Sequence, residues 1–60
     1  MRFKCIEDYD VAKKGQIWIL DDYRDVPSKV VTLRYKTERC TFFLNVNKEK
    51  FVEHFMFLGF

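Results

Sequence analysis

Residues 40–46, Cys40-Thr41-Phe42-Phe43-Leu44-Asn45-Val46, form the clearest strand pattern in the chain. Because side chains alternate between the two faces of a strand, Cys40, Phe42, Leu44 and Val46 are predicted to share one apolar face. Phe43 then lies on the opposite face with Thr41 and Asn45. We interpret the even-numbered positions as the spine of a core, which makes Cys40 a core residue rather than a reactive thiol.

Three further segments upstream have the composition of strands, which are Arg2–Ile6, Gln16–Leu20 and Val30–Tyr35. The first alternates polar and apolar side chains, and its lysine favours an edge position. The second is apolar on both sides, which favours a central strand covered on two sides. Only residues 36–39 separate the third from the Cys40 strand, and this spacing predicts an antiparallel hairpin.

The segments between and after these strands carry turn and helix signals. Gly15 is predicted to close a turn because it accepts positive φ, and the Asp- and Pro-containing stretch 21–28 is predicted to be a surface loop. Asn47 is a candidate N-cap, and Phe51 and Phe55 stand four residues apart, as on one face of a short helix or 3₁₀ turn. The apolar residues 56–60 are predicted to be a last strand that pairs with the first.

Length and composition restrict the function. Sixty residues make one domain, 1–60, without room for a deep cleft, and no apolar run approaches the ~20 residues of a membrane span. The net charge is +2, with net −1 over residues 1–28 and net +3 over residues 29–60. With two cysteines and no secretory signal after Met1, we expect reduced thiols in a cytoplasmic protein.

The order of strands, with a short helix or 3₁₀ turn before the last, resembles that of the small SH3-like β-barrel proteins, including short single-domain versions encoded by bacteria and phages. The resemblance extends over nearly the whole chain and includes the turn Lys14-Gly15-Gln16-Ile17-Trp18. It implies a mainly β, five-stranded SH3-like small barrel that acts as an inhibitor or adaptor. Asp8-Tyr9-Asp10 is similar to the acidic aromatic segment of signalling SH3 domains, but their paired Trp and their Gly-Phe-Pro and Asn-Tyr segments have no counterpart, so no polyproline site is carried over.

Residues suited to catalysis or metal binding are few. His54 is the only histidine, and with Cys5 and Cys40 it does not reach zinc-ligand spacing. The acidic groups at 7–10 and 21–25 do not match a calcium loop, and two glycines do not make a phosphate loop. We therefore expect a protein that is not an enzyme, without metal or cofactor.

Two binding hypotheses remain, because the chain is rich in aromatic residues and its basic residues are interleaved with them. The first is a protein partner, or self-association into a homo-oligomer, since Tyr, Trp and Arg are enriched at protein interfaces. The residues predicted to contact such a partner are Tyr9, Asp10, Trp18 and Tyr23.

The alternative is nucleic-acid binding, in which bases stack on an exposed aromatic ring in a basic groove. The residues predicted for it are Arg34, Lys36, Arg39 and Phe43. Phe43 is also open to a different interpretation, as part of a second core layer beneath the helix.

Overall fold

A computed structural model describes residues 1–24 and 29–60, with only the backbone of residues 23 and 24. The elements in chain order are β1 (Arg2–Cys5), β2 (Ile17–Arg24), β3 (Val30–Lys36), β4 (Thr41–Asn47), α1 (Lys48–His54) and β5 (Phe55–Gly59). The strands form one antiparallel sheet in the order β4-β3-β2-β1-β5. The prediction of a mainly β domain with one short helix before the last strand is therefore confirmed, as an open five-stranded sheet.

The strand order confirms two predictions about the positions of strands and corrects a third. The middle strand is β2, as predicted, and β5 pairs with β1. The prediction that the first strand is an edge is wrong, because β1 lies between β2 and β5. Lys4 is exposed because it points to the solvent side of an interior strand, and not because the strand lies at an edge.

The predicted hairpin is confirmed, with all seven residues of β3 paired to β4 from Val30↔Asn47 to Lys36↔Thr41. Thr37 organises its loop, because its Oγ1 accepts hydrogen bonds from the backbone N–H groups of Arg39 (3.3 Å) and Cys40 (3.2 Å). The Thr37 N–H in turn donates to the Cys40 carbonyl at 2.8 Å.

The core lies on one side of the sheet, which we call the inner face. Among the side chains that the structure describes, its buried members are Phe3, Cys5, Ala12, Trp18, Val31, Leu33, Leu44, Val46 and Phe55. The alternation predicted for the fourth strand holds at Leu44 and Val46, but Phe42 is half-exposed and Cys40 is exposed. The prediction that Cys40 is a core residue is wrong, because it belongs to the hairpin loop beyond the end of β4 and beyond the reach of the core.

Helix α1 begins as predicted, with Asn47 as its N-cap, since the Asn47 Oδ1 accepts the Lys50 N–H at 2.9 Å. Phe51 attaches the helix to the inner face, with its ring centroid 4.8 Å from that of Phe3 and 5.8 Å from that of Phe55. A helix of seven residues is too short to be stable alone, so this packing is what stabilises it.

The prediction of a surface loop over residues 21–28 is wrong for residues 21–24, because β2 continues through Arg24. A register shift between Leu20 and Asp22 in the pairing with β3 makes room for Asp21 as an extra residue. The remainder, residues 25–28, lies outside the described part of the chain. Gly15 closes its turn at φ 97°, as predicted. None of the described helices is long and apolar enough to cross a membrane.

Candidate functional site

The other side of the sheet, which we call the outer face, carries the candidate site. Residues directly opposite each other in antiparallel strands point to the same side of a sheet. Ile19 on β2 is opposite Arg34 on β3, and Arg34 is opposite Phe43 on β4. One row of side chains therefore crosses three strands as Ile19, Arg34 and Phe43.

This row borders a shallow depression of about 650 Å³, which we call the outer-face depression. Its lining residues are Ile17, Ile19, Arg34, Tyr35, Lys36, Thr41 and Phe43. The apolar members are solvent-accessible, since Phe43 is 61% exposed and Ile17 is 39% exposed. Phe43 is thus uncovered, and the interpretation that it seals a second core layer is wrong. The prediction that the second strand is covered on both sides is also wrong, because Ile17 on its outer side is exposed.

The charge around the depression is mainly positive. Arg2 and Lys4 on β1 lie opposite Ile19 and Ile17, so they flank the isoleucines on the side away from β3, which carries Arg34 and Lys36. Asp21 approaches the guanidinium of Arg34, but the Nε–Oδ1 distance is 4.0 Å and both side chains are partly exposed to solvent. An ion pair of this kind contributes little, so the Arg34 charge remains accessible to a ligand.

The residues predicted for nucleic-acid binding are brought together with one exception. Arg34, Lys36 and Phe43 all line the outer-face depression. Arg39 does not, because it lies in the loop between β3 and β4, where its backbone N–H bonds to Thr37.

Of the residues predicted for a protein contact, the three whose side chains the structure describes do not form one surface. Trp18 is 1% exposed and its ring lies 5.2 Å from that of Tyr35, so the structure places it in the core and not on an outward surface. Tyr9 is partly buried against the core with its ring 4.9 Å from that of His54, whereas Asp10 is exposed in a turn at φ 54°. The backbone of Tyr23 pairs with Val31, and its side chain lies outside the described part of the structure.

The two isoleucines of the depression were missed by sequence reasoning. Ile17 and Ile19 stand at alternate positions of β2, so their shared face was visible in the sequence. The available signal was that the equivalent face of the first strand carries Arg2 and Lys4, which places that side of the sheet in water.

Cys5 and His54 contact the same carbonyl oxygen, that of Glu7, to which the Cys5 Sγ donates at 3.1 Å. Burial, assisted by the negative charge of Asp8, raises the pKa of the Cys5 thiol above its ordinary value, which disfavours the nucleophilic thiolate. Cys40 is exposed and free. The His54 Nδ1 lies 3.1 Å from the Glu7 carbonyl oxygen. No cluster of three or more candidate metal ligands occurs within residues 1–24 and 29–60.

Comparison of the chain with protein families, with curated proteins and with solved structures found no match. The function is therefore inferred from the geometry and chemistry of the outer face.

Proposed function

We propose that this protein acts by binding, without catalytic turnover, and that its ligand is another protein that contacts the outer-face depression. The observation that carries the proposal is an exposed apolar centre with cations beside it. Ile17 and Phe43, which are exposed, and Ile19, which is partly buried, form the centre, and Arg34 and Lys36 flank it. This is the arrangement of a protein interface, in which apolar anchors are surrounded by polar groups that give orientation.

The same chemistry describes the partner. An apolar side chain of the partner would displace water from Phe43 and the two isoleucines, at a gain of about 25 cal/mol per Å² of apolar surface covered. Carboxylates beside it would pair with Arg34 and Lys36. The partner is therefore a protein with an acidic, partly apolar surface, and an inhibitor or adaptor role agrees with a chain that offers a surface rather than a deep pocket.

The fold proposed for this binding domain is an SH3-like small barrel. The strand order β4-β3-β2-β1-β5 and the single helix immediately before β5 support it. Closure would bring side chains of β4 and β5 together around α1, which contacts both strands, without backbone pairing between β4 and β5, so the edge of β4 would stay open. Nuclear Overhauser contacts between side chains of β4 and β5 would support closure, and their absence in an assigned spectrum would contradict it.

A single-stranded nucleic acid is the second candidate ligand. The observation in its favour is that Arg34 and Lys36 lie beside an aromatic ring that is 61% exposed. Stacking of one base on Phe43 would contribute about 1–3 kcal/mol, and the cations would neutralise phosphates. A net charge of only +2 favours the protein ligand over this one.

Two substitutions test the protein ligand by capture from extracts of the native host. Phe43→Ala removes the apolar anchor, and Arg34→Glu reverses the neighbouring charge. The matched control is Val52→Ala, which truncates an apolar side chain on α1 that is 64% exposed. We expect a protein that wild type and the control retain after nuclease treatment, and that both test variants lose. Retention by Phe43→Ala at the wild-type level would refute the proposed site.

Nucleic-acid binding is measured separately with a fluorescent oligothymidylate at low salt. If this is the true ligand, affinity falls steeply as salt rises and falls again with Phe43→Ala. Binding of the oligonucleotide together with nuclease-sensitive capture would replace the protein ligand by the second candidate.

A further inference from the structure

Within residues 1–24 and 29–60 only β3 pairs with β4, and the other edge of β4 lacks the features by which proteins prevent strands from pairing with other chains. Edge strands are usually short, bulged, or protected by charged residues or proline. The seven residues of β4, Thr41–Asn47, contain no charged residue and no proline. Their pairing with β3 is continuous, without a register shift. A straight, neutral edge of this length is a template for another strand.

The hairpin bond shows which backbone groups this edge presents. The Thr37 N–H bonds to the carbonyl of Cys40, which is the residue directly opposite in the same register as the β3–β4 pairs. Because bonded and non-bonded pairs alternate along an antiparallel ladder, the backbone groups of the even-numbered residues of β4 face β3. The N–H and C=O groups of Thr41, Phe43 and Asn45 consequently point away from β3, towards the open edge.

We propose that the β4 edge pairs antiparallel with the β4 edge of a second copy of this chain. A two-fold axis at Phe43 lets the two copies satisfy each other's outward backbone groups reciprocally, as an isologous interface requires. Phe43 then opposes Phe43 of the second copy, and Thr41 opposes Asn45 of the second copy. These three bonded pairs supply about six backbone hydrogen bonds.

The absence of charge and the exposed aromatic side chains of β4 favour a second copy of this chain as the partner at this edge. A neutral strand offers no charge with which to select a charged partner, and two such strands meet without like-charge repulsion. The pairing also brings together the exposed Phe43 rings on the outer face, and cross-strand aromatic pairs are favourable. On the inner face it places the half-exposed Phe42 against Leu44 of the second copy.

The opposite edge of the sheet is less suited to this pairing. Strand β5 has five residues, its pairing with β1 has a register shift at Arg2/Phe3, and Gly59 has a φ of 144°. Bulges of this kind twist an edge away from a flat partner. The β4 interface would join the sheets of the two copies into one sheet, with both outer faces on the same side. Because this pairing is made by the backbone of β4, it does not depend on what the outer-face depression binds.

Sedimentation equilibrium of the full chain over a wide concentration range tests the dimer. Thr41→Pro removes an outward N–H that pairing with β3 does not use, and Thr41→Lys places a charge on the edge. Val52→Lys adds the same charge on α1 as a matched control, and thermal melts followed by circular dichroism report the fold of each variant.

We expect a monomer–dimer equilibrium for wild type and for Val52→Lys, and a dissociation constant raised at least about tenfold in both Thr41 variants, or about 1.4 kcal/mol. If Thr41→Pro is less stable as a monomer, Thr41→Lys alone carries the test. A wild-type chain that stays monomeric throughout, a dimer that both Thr41 variants retain, or a trimer or larger ring would each overturn the proposal.

Discussion

Replacement of Trp18 by alanine should cost most of the stability of this domain. Trp18 is 1% exposed, packs against Tyr35, and donates from its Nε1 to the Gln16 Oε1 at 3.3 Å. Truncating a buried aromatic residue costs about 3–5 kcal/mol, because transfer free energy is lost and a cavity remains. A domain of 60 residues has only about 3–9 kcal/mol in total. We therefore expect Trp18→Ala to be largely unfolded or close to it.

The comparison variant is Phe43→Ala, which truncates an aromatic side chain that is 61% exposed. It leaves no enclosed cavity, so the expected cost is about 1 kcal/mol. The assay is guanidinium denaturation followed by far-ultraviolet circular dichroism, since Trp18→Ala removes the only tryptophan. Trp18→Phe, which keeps an aromatic ring beside Tyr35, provides a measurable intermediate if the alanine variant does not fold. Equal unfolding midpoints for Trp18→Ala and Phe43→Ala would refute the assignment of inner and outer faces.

Four further outcomes follow from individual contacts. Cys40 should react with a thiol reagent in the folded protein while Cys5 reacts only as fast as the chain opens, and equal rates would contradict the burial of Cys5. Because the pKa of Cys5 is raised in the folded state, the thiol ionises first in the unfolded chain, so the free energy of unfolding should fall as pH rises above about 8.5. Cys5→Ala should lack this part of the pH dependence, and a pH profile identical to that of wild type would contradict the raised pKa. Asn47→Ala removes the acceptor for the Lys50 N–H and should lower stability by about 1 kcal/mol in chemical denaturation, whereas Asn47→Asp should retain most of it; equal losses would contradict the cap. Gly15→Ala should lower the melting temperature because alanine is strained at φ 97°, although space for its Cβ is open; an unchanged or higher value would contradict the turn geometry.

Alternation in the first, third and fourth strands, and apolar composition in the second and the last, predicted the type and approximate position of each described strand, because each strand has at least one covered face. It could not predict how far the core extends along a strand. Leu44 and Val46 lie beneath the helix side of the sheet, whereas Phe42 and Cys40, which share their parity, lie towards the hairpin where the core ends. Whether a position in a strand is odd or even specifies the face on which its side chain lies. How deeply that side chain is buried depends on which other elements cover that face.

Charged residues misled the prediction at two places for separate reasons. Lys4 suggested an edge, but a lysine is equally suited to an interior strand whose outer face is in water. Asp21 and Asp22 suggested a loop, but a register shift lets β2 pass through them and remain paired. Both outcomes depend on neighbours that are distant in the sequence.

The candidate site was half predictable. Phe43 and Arg34 could be placed together because the short hairpin fixes their register. Trp18 could not be separated from Ile17 and Ile19 by composition, since all three suit a strand. The covering of one face by α1 and the loop around Ala12 is what buries Trp18 and leaves the isoleucines on the other face.

The proposed binding surface is tested most directly by nuclear magnetic resonance, with isotope-labelled protein titrated with the partner that wild type captures. We expect the largest amide shift changes to cluster at Ile17, Ile19, Arg34 and Phe43, with little change along α1. Changes centred on Tyr9 and Asp10, or on the helix, with an unperturbed outer face would contradict it.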